Sequence, residues 1–157
     1  MRTLVVVLAA AVAIGASGCG ASRSTTIQTR AFPRLTAATA TFVSRDHGKD
    51  KDSALTAQVL RSNAELGAEI HSVGTKFDDK SSSGPLAFSL AGPFMTNDVE
   101  NGQIRLRLAP DGADDWTFDL HVAMRFSDGT ARNFMWQGIR LDNASPERVL
   151  TLGPARS

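Results

Sequence analysis

The feature that most constrains this chain is a strict alternation of apolar and polar residues from Trp116 to Phe126. The apolar positions are Trp116, Phe118, Leu120, Val122, Met124 and Phe126. Successive side chains of a β-strand point to opposite faces, whereas a helix repeats its apolar positions every three or four residues. The segment therefore predicts a long strand with one buried face.

Shorter segments along most of the chain also predict strands, most of them by the same alternation and Thr36–Ser44 by its threonine and valine content. They are Thr36–Ser44, Leu55–Val59, Leu66–Ile70, Leu86–Leu90, Ile104–Leu108 and Val149–Leu152. No long window has a helical period, although a helical turn is expected near Thr96–Glu100. Short strands separated by turn residues are typical of an all-β fold, and we expect an antiparallel β-sandwich of about eight strands.

The turn after Phe126 can be typed from the side chains that it would bury. A two-residue loop would turn Phe134 and Trp136 away from the apolar face, whereas a three-residue loop (Ser127–Gly129) pairs Val122 with Phe134. Burying both aromatic side chains is worth several kcal/mol, so the longer loop is favoured, with Gly129 left-handed. Gly138 is then expected to shift the phase of the next strand, so that Ile139 and Leu141 point inward.

The composition excludes several classes of protein. The chain is 42% hydrophobic and 21% charged, as in ordinary globular domains. A single cysteine rules out an intramolecular disulfide and a cysteine-rich zinc site. Lysine and arginine total 17 against 16 acidic residues, without a basic run, so we expect no nucleic-acid binding.

The first residues have the pattern of a secretory signal peptide. Arg2 is followed by the uncharged run Leu4–Ile14. As a helix this run spans about 16 Å, too short for a bilayer core of about 30 Å. Small residues follow it, so residues 1–18 are predicted to be a signal peptide.

The sequence Ala16-Ser17-Gly18-Cys19 resembles the lipobox of bacterial lipoproteins. The resemblance implies cleavage between Gly18 and Cys19, a diacylglycerol on the sulfur of Cys19 and acylation of the new N-terminus. These acyl chains, such as palmitate, provide the two signals that stable anchoring needs. Gly20 is not the Asp that retains many such proteins at the inner membrane, which implies the outer membrane if the host has two. The alternative is a soluble secreted protein cut by ordinary signal peptidase.

The remaining chain divides into a tether and one domain. Residues 19–33 are small and polar and predict a flexible tether after the lipidated cysteine, although Thr25–Thr29 is compatible with an edge strand. Residues 34–157 show no second linker and no internal repeat, and they predict the β-sandwich domain.

Aspartates concentrate in alternate loops. If each strand crosses the domain once, alternate loops share one end and carry nine of the twelve aspartates. These are the first, third, fifth and seventh loops: Arg45–Ser53, Gly74–Gly84, Pro110–Asp115 and Asp142–Glu147. This arrangement resembles C2- and PLAT-type sandwiches, which implies calcium and a lipid or other ligand at this end. The candidate calcium ligands are Asp50, Asp52, Asp79, Asp114 and Asp115. The alternative is that these aspartates cap turns and are neutralised by nearby lysines.

No known catalytic motif occurs in the sequence. Asp119 and His121 share the outer face of one strand, and a nearby hydroxyl would complete a triad-like set. Trp116 and Trp136 are predicted to be core anchors rather than platforms for sugars. We therefore expect a membrane-anchored, non-enzymatic binding or envelope interaction module for a lipid, glycan or protein ligand, with calcium dependence as one version. The alternatives are a structural or assembly subunit of an envelope complex and a secreted hydrolase that uses Asp119 and His121.

Overall fold

The structure is a computed structural model that describes residues 31–112 and 115–153. Within these ranges there are nine strands and one short 3-10 helix, Thr96–Glu100. The strands are β1 (Leu35–Ser44), β2 (Ala54–Leu60), β3 (Leu66–Val73), β4 (Leu86–Ala87), β5 (Ser89–Leu90), β6 (Gln103–Ala109), β7 (Asp115–Phe126), β8 (Ala131–Asp142) and β9 (Glu147–Thr151). The helical turn expected near Thr96 is confirmed.

The strands form two sheets with antiparallel pairing throughout the described residues. One sheet, called sheet 1, has the order β4-β1-β7-β8, and sheet 2 has the order β5-β3-β2-β6-β9. The inward side chains of both sheets meet in a single apolar core. This arrangement confirms the all-β antiparallel sandwich.

Aromatic side chains cluster in the core around the start of β7. Trp116 is fully buried and stacks on Phe118 with ring centroids 4.0 Å apart, and it also packs on Phe42 and Phe77. Its indole N–H donates to Ser44 Oγ over 3.0 Å, so the buried polar group has a partner. Trp116 is thus confirmed as a core anchor.

The β7–β8 hairpin has the predicted register. Val122 pairs with Phe134 and Leu120 pairs with Trp136 across a three-residue loop. Phe126 N–H donates to the carbonyl oxygen of Thr130 over 2.9 Å, and Gly129 has a φ of +84°. The three-residue loop, predicted from the requirement to bury both aromatic side chains, is therefore confirmed.

Gly138 marks a bulge in β8. The pairing passes from Leu120–Trp136 to Phe118–Ile139, so one extra residue of β8 is accommodated, and Gly138 has a φ of +63°. Ile139 and Leu141 are buried as predicted. Glycine suits this position because it adopts a positive φ without a steric penalty.

The segment Leu86–Leu90 is not the single strand that its alternation predicts. Leu86–Ala87 pairs with β1 in sheet 1, whereas Ser89–Leu90 pairs with β3 in sheet 2. Phe88 lies between the two pairings, is buried, and donates its backbone N–H to Ala38 over 2.9 Å. Because the chain crosses from one sheet to the other here, Leu90 is exposed rather than buried, and the described residues form nine strands, in agreement with the expected number of about eight.

The signal peptide, the lipobox at Ala16–Cys19 and the tether as far as residue 30 lie outside the described residues. In the described part of the chain, no helix has the length and apolar character that a membrane-spanning helix needs.

Candidate functional site

The loops that carry most aspartates do lie at one end of the sandwich. Lys49 and Phe77 exchange backbone hydrogen bonds, which join the first and third loops. Thr117, just after the fifth loop, donates its backbone N–H to the carbonyl oxygen of His47 over 3.3 Å. Asp115 lies opposite Asp142 at the start of the seventh loop. The predicted sharing of one end is therefore confirmed.

The candidate calcium ligands do not form a metal cluster in the described residues. Asp50 and Asp52 are exposed, Asp79 accepts a hydrogen bond from Gly48 N–H over 2.7 Å, and Asp115 binds Arg140 through two hydrogen bonds of 2.8 and 2.9 Å. Asp114 lies outside the described residues. Within residues 31–112 and 115–153, no group of three His, Cys, Asp or Glu side chains is arranged to hold a metal. Calcium binding stays a prediction.

Lys49 places a positive charge inside this end of the sandwich. Its side chain is fully buried, and its ammonium donates to the carbonyl oxygens of Asp50 and Ser53. The same nitrogen lies 5.7 Å from the centroid of the Phe77 ring. Loop carbonyl oxygens and an aromatic face both stabilise a cation, so the ammonium holds the first loop together from within. From the sequence, Lys49 is only one of the nearby lysines expected to neutralise the aspartates of the first loop.

Asp119 and His121 lie on the outer face of β7, as predicted, but Asp119 has structural partners. Its Oδ1 accepts hydrogen bonds from Arg45 Nε and from Gly138 N–H, each over 2.8 Å. The hydrogen bond from Arg45 lowers the pKa of Asp119, with a further lowering from Gly138 N–H that partial burial opposes. These contacts tie the end of β1 to the bulge in β8. His121 is exposed beside Thr41 on the neighbouring strand.

A groove runs along one side of the sandwich, where the outermost strands of the two sheets face each other. β8 is the last strand of sheet 1 and β9 is the last strand of sheet 2. We call the space between them the β8–β9 groove. It has a volume of about 670 Å³ and is lined by Met135, Trp136, Gln137, Gly138, Ile139, Arg140, Arg148 and Leu150.

The floor of the β8–β9 groove is apolar and aromatic. Trp136 is half-buried and stacks on Phe134, with centroids 5.9 Å apart and ring planes 15° from parallel. Leu150 packs against the core from the β9 side and is also half-buried. Met135, at the edge of the groove, has 60% of its surface exposed and lies opposite His121 on the outer face of sheet 1. Trp136 is therefore a core residue on one side and a groove residue on the other.

The sequence does not predict this groove. A signal was present, because Asn133–Ile139 is a run without charge in a long strand near the end of the chain. Its meaning depends on β8 being an edge strand, which local alternation does not reveal.

Comparison with protein-family models and with curated proteins finds no match to this chain. The geometry of the site therefore has to carry any functional conclusion.

Proposed function

We propose that this protein is a lipid-anchored bacterial envelope lipoprotein whose β-sandwich is a non-enzymatic binding module. In this proposal the chain is cut between Gly18 and Cys19, Cys19 carries the lipid, and residues 19–33 tether the domain to the membrane. The observation that carries the binding role is the β8–β9 groove, an open channel with an apolar floor between two strand edges.

The chemistry of the groove supports binding rather than catalysis. Its described lining consists of apolar and aromatic side chains, one glutamine, one glycine and two arginines. None of these groups is an ordinary nucleophile or general base at neutral pH. An apolar floor with a few polar groups at its rim is instead typical of a recognition site.

The anchor is tested with Cys19→Ser in the full chain expressed in a bacterial host. We expect the wild type in the membrane fraction, with an intact mass that fits cleavage before Cys19 plus acyl chains. The variant is expected to leave that fraction, because the sulfur that accepts the lipid is gone. A wild-type chain that still begins at Met1, or that carries no lipid, would contradict the anchor.

The binding role is tested by placing a photo-crosslinking amino acid at Met135 in the anchored protein. Leu90 is the matched control, because it is another exposed apolar residue, at 44% against 60% for Met135, and lies on the opposite side of the sandwich. We expect adducts from position 135 and few from position 90. Equal yields from the two positions, or none from either, would count against a binding groove.

A further inference from the structure

Among the described residues, the backbone of β8 has no partner strand along its outer edge. At the hairpin, Phe126 N–H donates to Thr130 over 2.9 Å, which sets the phase of the hydrogen bonds between β7 and β8. In an antiparallel ladder, alternate residues direct their backbone groups to opposite edges. Ala131, Asn133 and Met135 therefore direct their N–H and C=O groups away from β7, towards the side where the described residues supply no further strand.

The two sides of the sandwich differ in how their edges are closed. On one side, the segment Leu86–Leu90 pairs with both sheets and closes the space between them with Phe88. On the other side, β8 presents the uncharged run Asn133–Ile139 between Arg132 and Arg140. Exposed edge strands usually carry charged residues, prolines or a covering segment to prevent pairing. Bulges serve the same purpose, but the bulge of β8 lies at Gly138, beyond Asn133–Trp136. No segment in the described part of the chain covers Asn133–Trp136, which has neither charge nor proline, so this stretch is suited to receive another strand.

The β8–β9 groove has a positive charge at its wall. Arg148 lies opposite Leu106 in the sheet, so its side chain emerges on the inward face of β9, and it lines the groove. Among the described residues, no carboxylate forms an ion pair with Arg148. Arg140, by contrast, pairs with Asp115 at 2.8 Å and with Asp142 at 3.2 Å. A ligand that carries a carboxylate would complement Arg148.

We propose that β8 binds an extended, acidic and apolar peptide segment of a partner protein, which adds to sheet 1 as a further strand. This proposal rests on the proposed binding function and names its class of partner. The backbone of the segment would pair with Asn133 and Met135. Because strand side chains alternate, inward positions two residues apart would place an apolar group on Trp136 and an Asp or Glu on Arg148. The edge of β8 thus selects an extended backbone, and the groove selects the side chains of the segment.

The test is a selection of random linear peptides on the purified protein expressed from the full chain. Counter-selection uses Met135→Pro, which removes one edge N–H at a position where an edge strand tolerates proline. We expect enriched peptides to contain an apolar residue and an acidic residue two positions apart. An enriched peptide should be detected through a change in the fluorescence of Trp136, since Trp116 is fully buried.

Two pairs of variants then separate the backbone from the charge. Met135→Pro should abolish binding of the enriched peptide, whereas Val149→Pro, on the free edge of β9, should retain it. Arg148→Gln should weaken binding at least about tenfold, the effect of losing a charge-assisted hydrogen bond, whereas Arg132→Gln outside the groove should leave it within about twofold. Circular dichroism checks that each variant is folded. If Met135→Pro does not fold, the comparison of Arg148→Gln with Arg132→Gln decides whether the peptide binds at the groove.

Several results would overturn the proposal. They are no enrichment over the counter-selection, enrichment of basic peptides, and peptide binding that survives both Met135→Pro and Arg148→Gln. A wild-type dimer that Met135→Pro converts to a monomer would assign the edge to a second copy instead. If the crosslinking at position 135 and the membrane anchor hold while the selection fails, the class of partner is wrong and the proposed function stands. If the crosslinking fails as well, the binding function falls too.

Discussion

At the scale of single residues, Asp119 and Lys49 hold segments that are distant in the chain. Asp119 joins Arg45, 74 residues away, to the backbone of Gly138. Lys49 uses its buried ammonium to bind the first loop from inside, where a calcium ion was one expected cation. In both cases a charged group positions the chain, although the sequence suggested Asp119 for catalysis and Lys49 only as a neutralising charge.

The pH dependence of stability tests the role of Asp119. Its folded-state pKa is lowered from 3.8 by Arg45, so the carboxylate stabilises the fold above the unfolded pKa and loses this effect as pH falls through the lowered folded value. We expect Asp119→Asn to reduce the free energy of unfolding by roughly 1–2 kcal/mol at neutral pH. The difference from wild type should shrink steadily below pH of about 4. Urea unfolding at several pH values measures this difference in the free energy of unfolding between the variant and wild type.

Arg45→Gln provides the matching control for Asp119. A double-mutant cycle at neutral pH should show that the two substitutions are not additive, because each removes the same ion pair. Additive effects, or a stability difference that does not change with pH, would contradict the assignment.

Lys49→Met tests the buried ammonium. Methionine keeps an apolar side chain against Phe77 but leaves the carbonyl oxygens of Asp50 and Ser53 without this donor. We expect a loss of about 2 kcal/mol in the free energy of unfolding. Lys76→Met is the control, because Lys76 is an exposed lysine of the neighbouring loop and should matter little. Equal effects of the two substitutions in urea unfolding would contradict a structural role for Lys49.

At the scale of elements, the β7–β8 hairpin is the best determined part of the fold. Its loop length, the pairing of Val122 with Phe134 and the phase shift at Gly138 all followed from the requirement to bury aromatic side chains. The segment Leu86–Leu90 shows where such reasoning fails. Alternation described its residues as one strand, but it contains no information about a change of sheet between Ala87 and Ser89.

Gly138 provides a prediction about the bulge. An added Cβ would meet no heavy atom within 4 Å, so any destabilisation comes from the backbone, whose φ is +63°. We expect Gly138→Ala to lower the free energy of unfolding by roughly 1–2 kcal/mol, and Gly138→Asn to lower it less, since Asn tolerates the left-handed region better. Urea unfolding measures both variants. Equal stability of the alanine variant and wild type would show that the bulge relaxes.

At the scale of the whole molecule, the sandwich is asymmetric. One side is closed by a segment that pairs with both sheets, and the other side is the open β8–β9 groove. The aspartate-rich loops occupy one end, where several carboxylates already pair with lysine or arginine, as in Asp78 with Lys76 and Asp46 with Lys80. Partner binding and calcium binding would therefore use different parts of the molecule.

Thermal melting tests the calcium hypothesis. If calcium binds the folded state at these loops, millimolar calcium should raise the Tm by mass action, with a stabilisation of about 2.7 kcal/mol at a hundredfold excess over Kd. A chelator should reverse the shift, and the double variant Asp50→Asn with Asp52→Asn should abolish it. An identical melting curve with calcium and with chelator would contradict calcium binding at these loops.

The sequence by itself determined the all-β class, the buried faces of most strands, the register of the β7–β8 hairpin and the end of the domain at which alternate loops gather. These features depend on side-chain alternation and on turns between neighbours in the chain, which are local properties. Only the tertiary structure decided that β8 and β9 are the outermost strands of their sheets in the described part of the chain, that Lys49 is buried and that Asp119 meets Arg45. Each of these depends on contacts between segments far apart in the chain, and alternation reveals which face is buried but not which strand lies beside it.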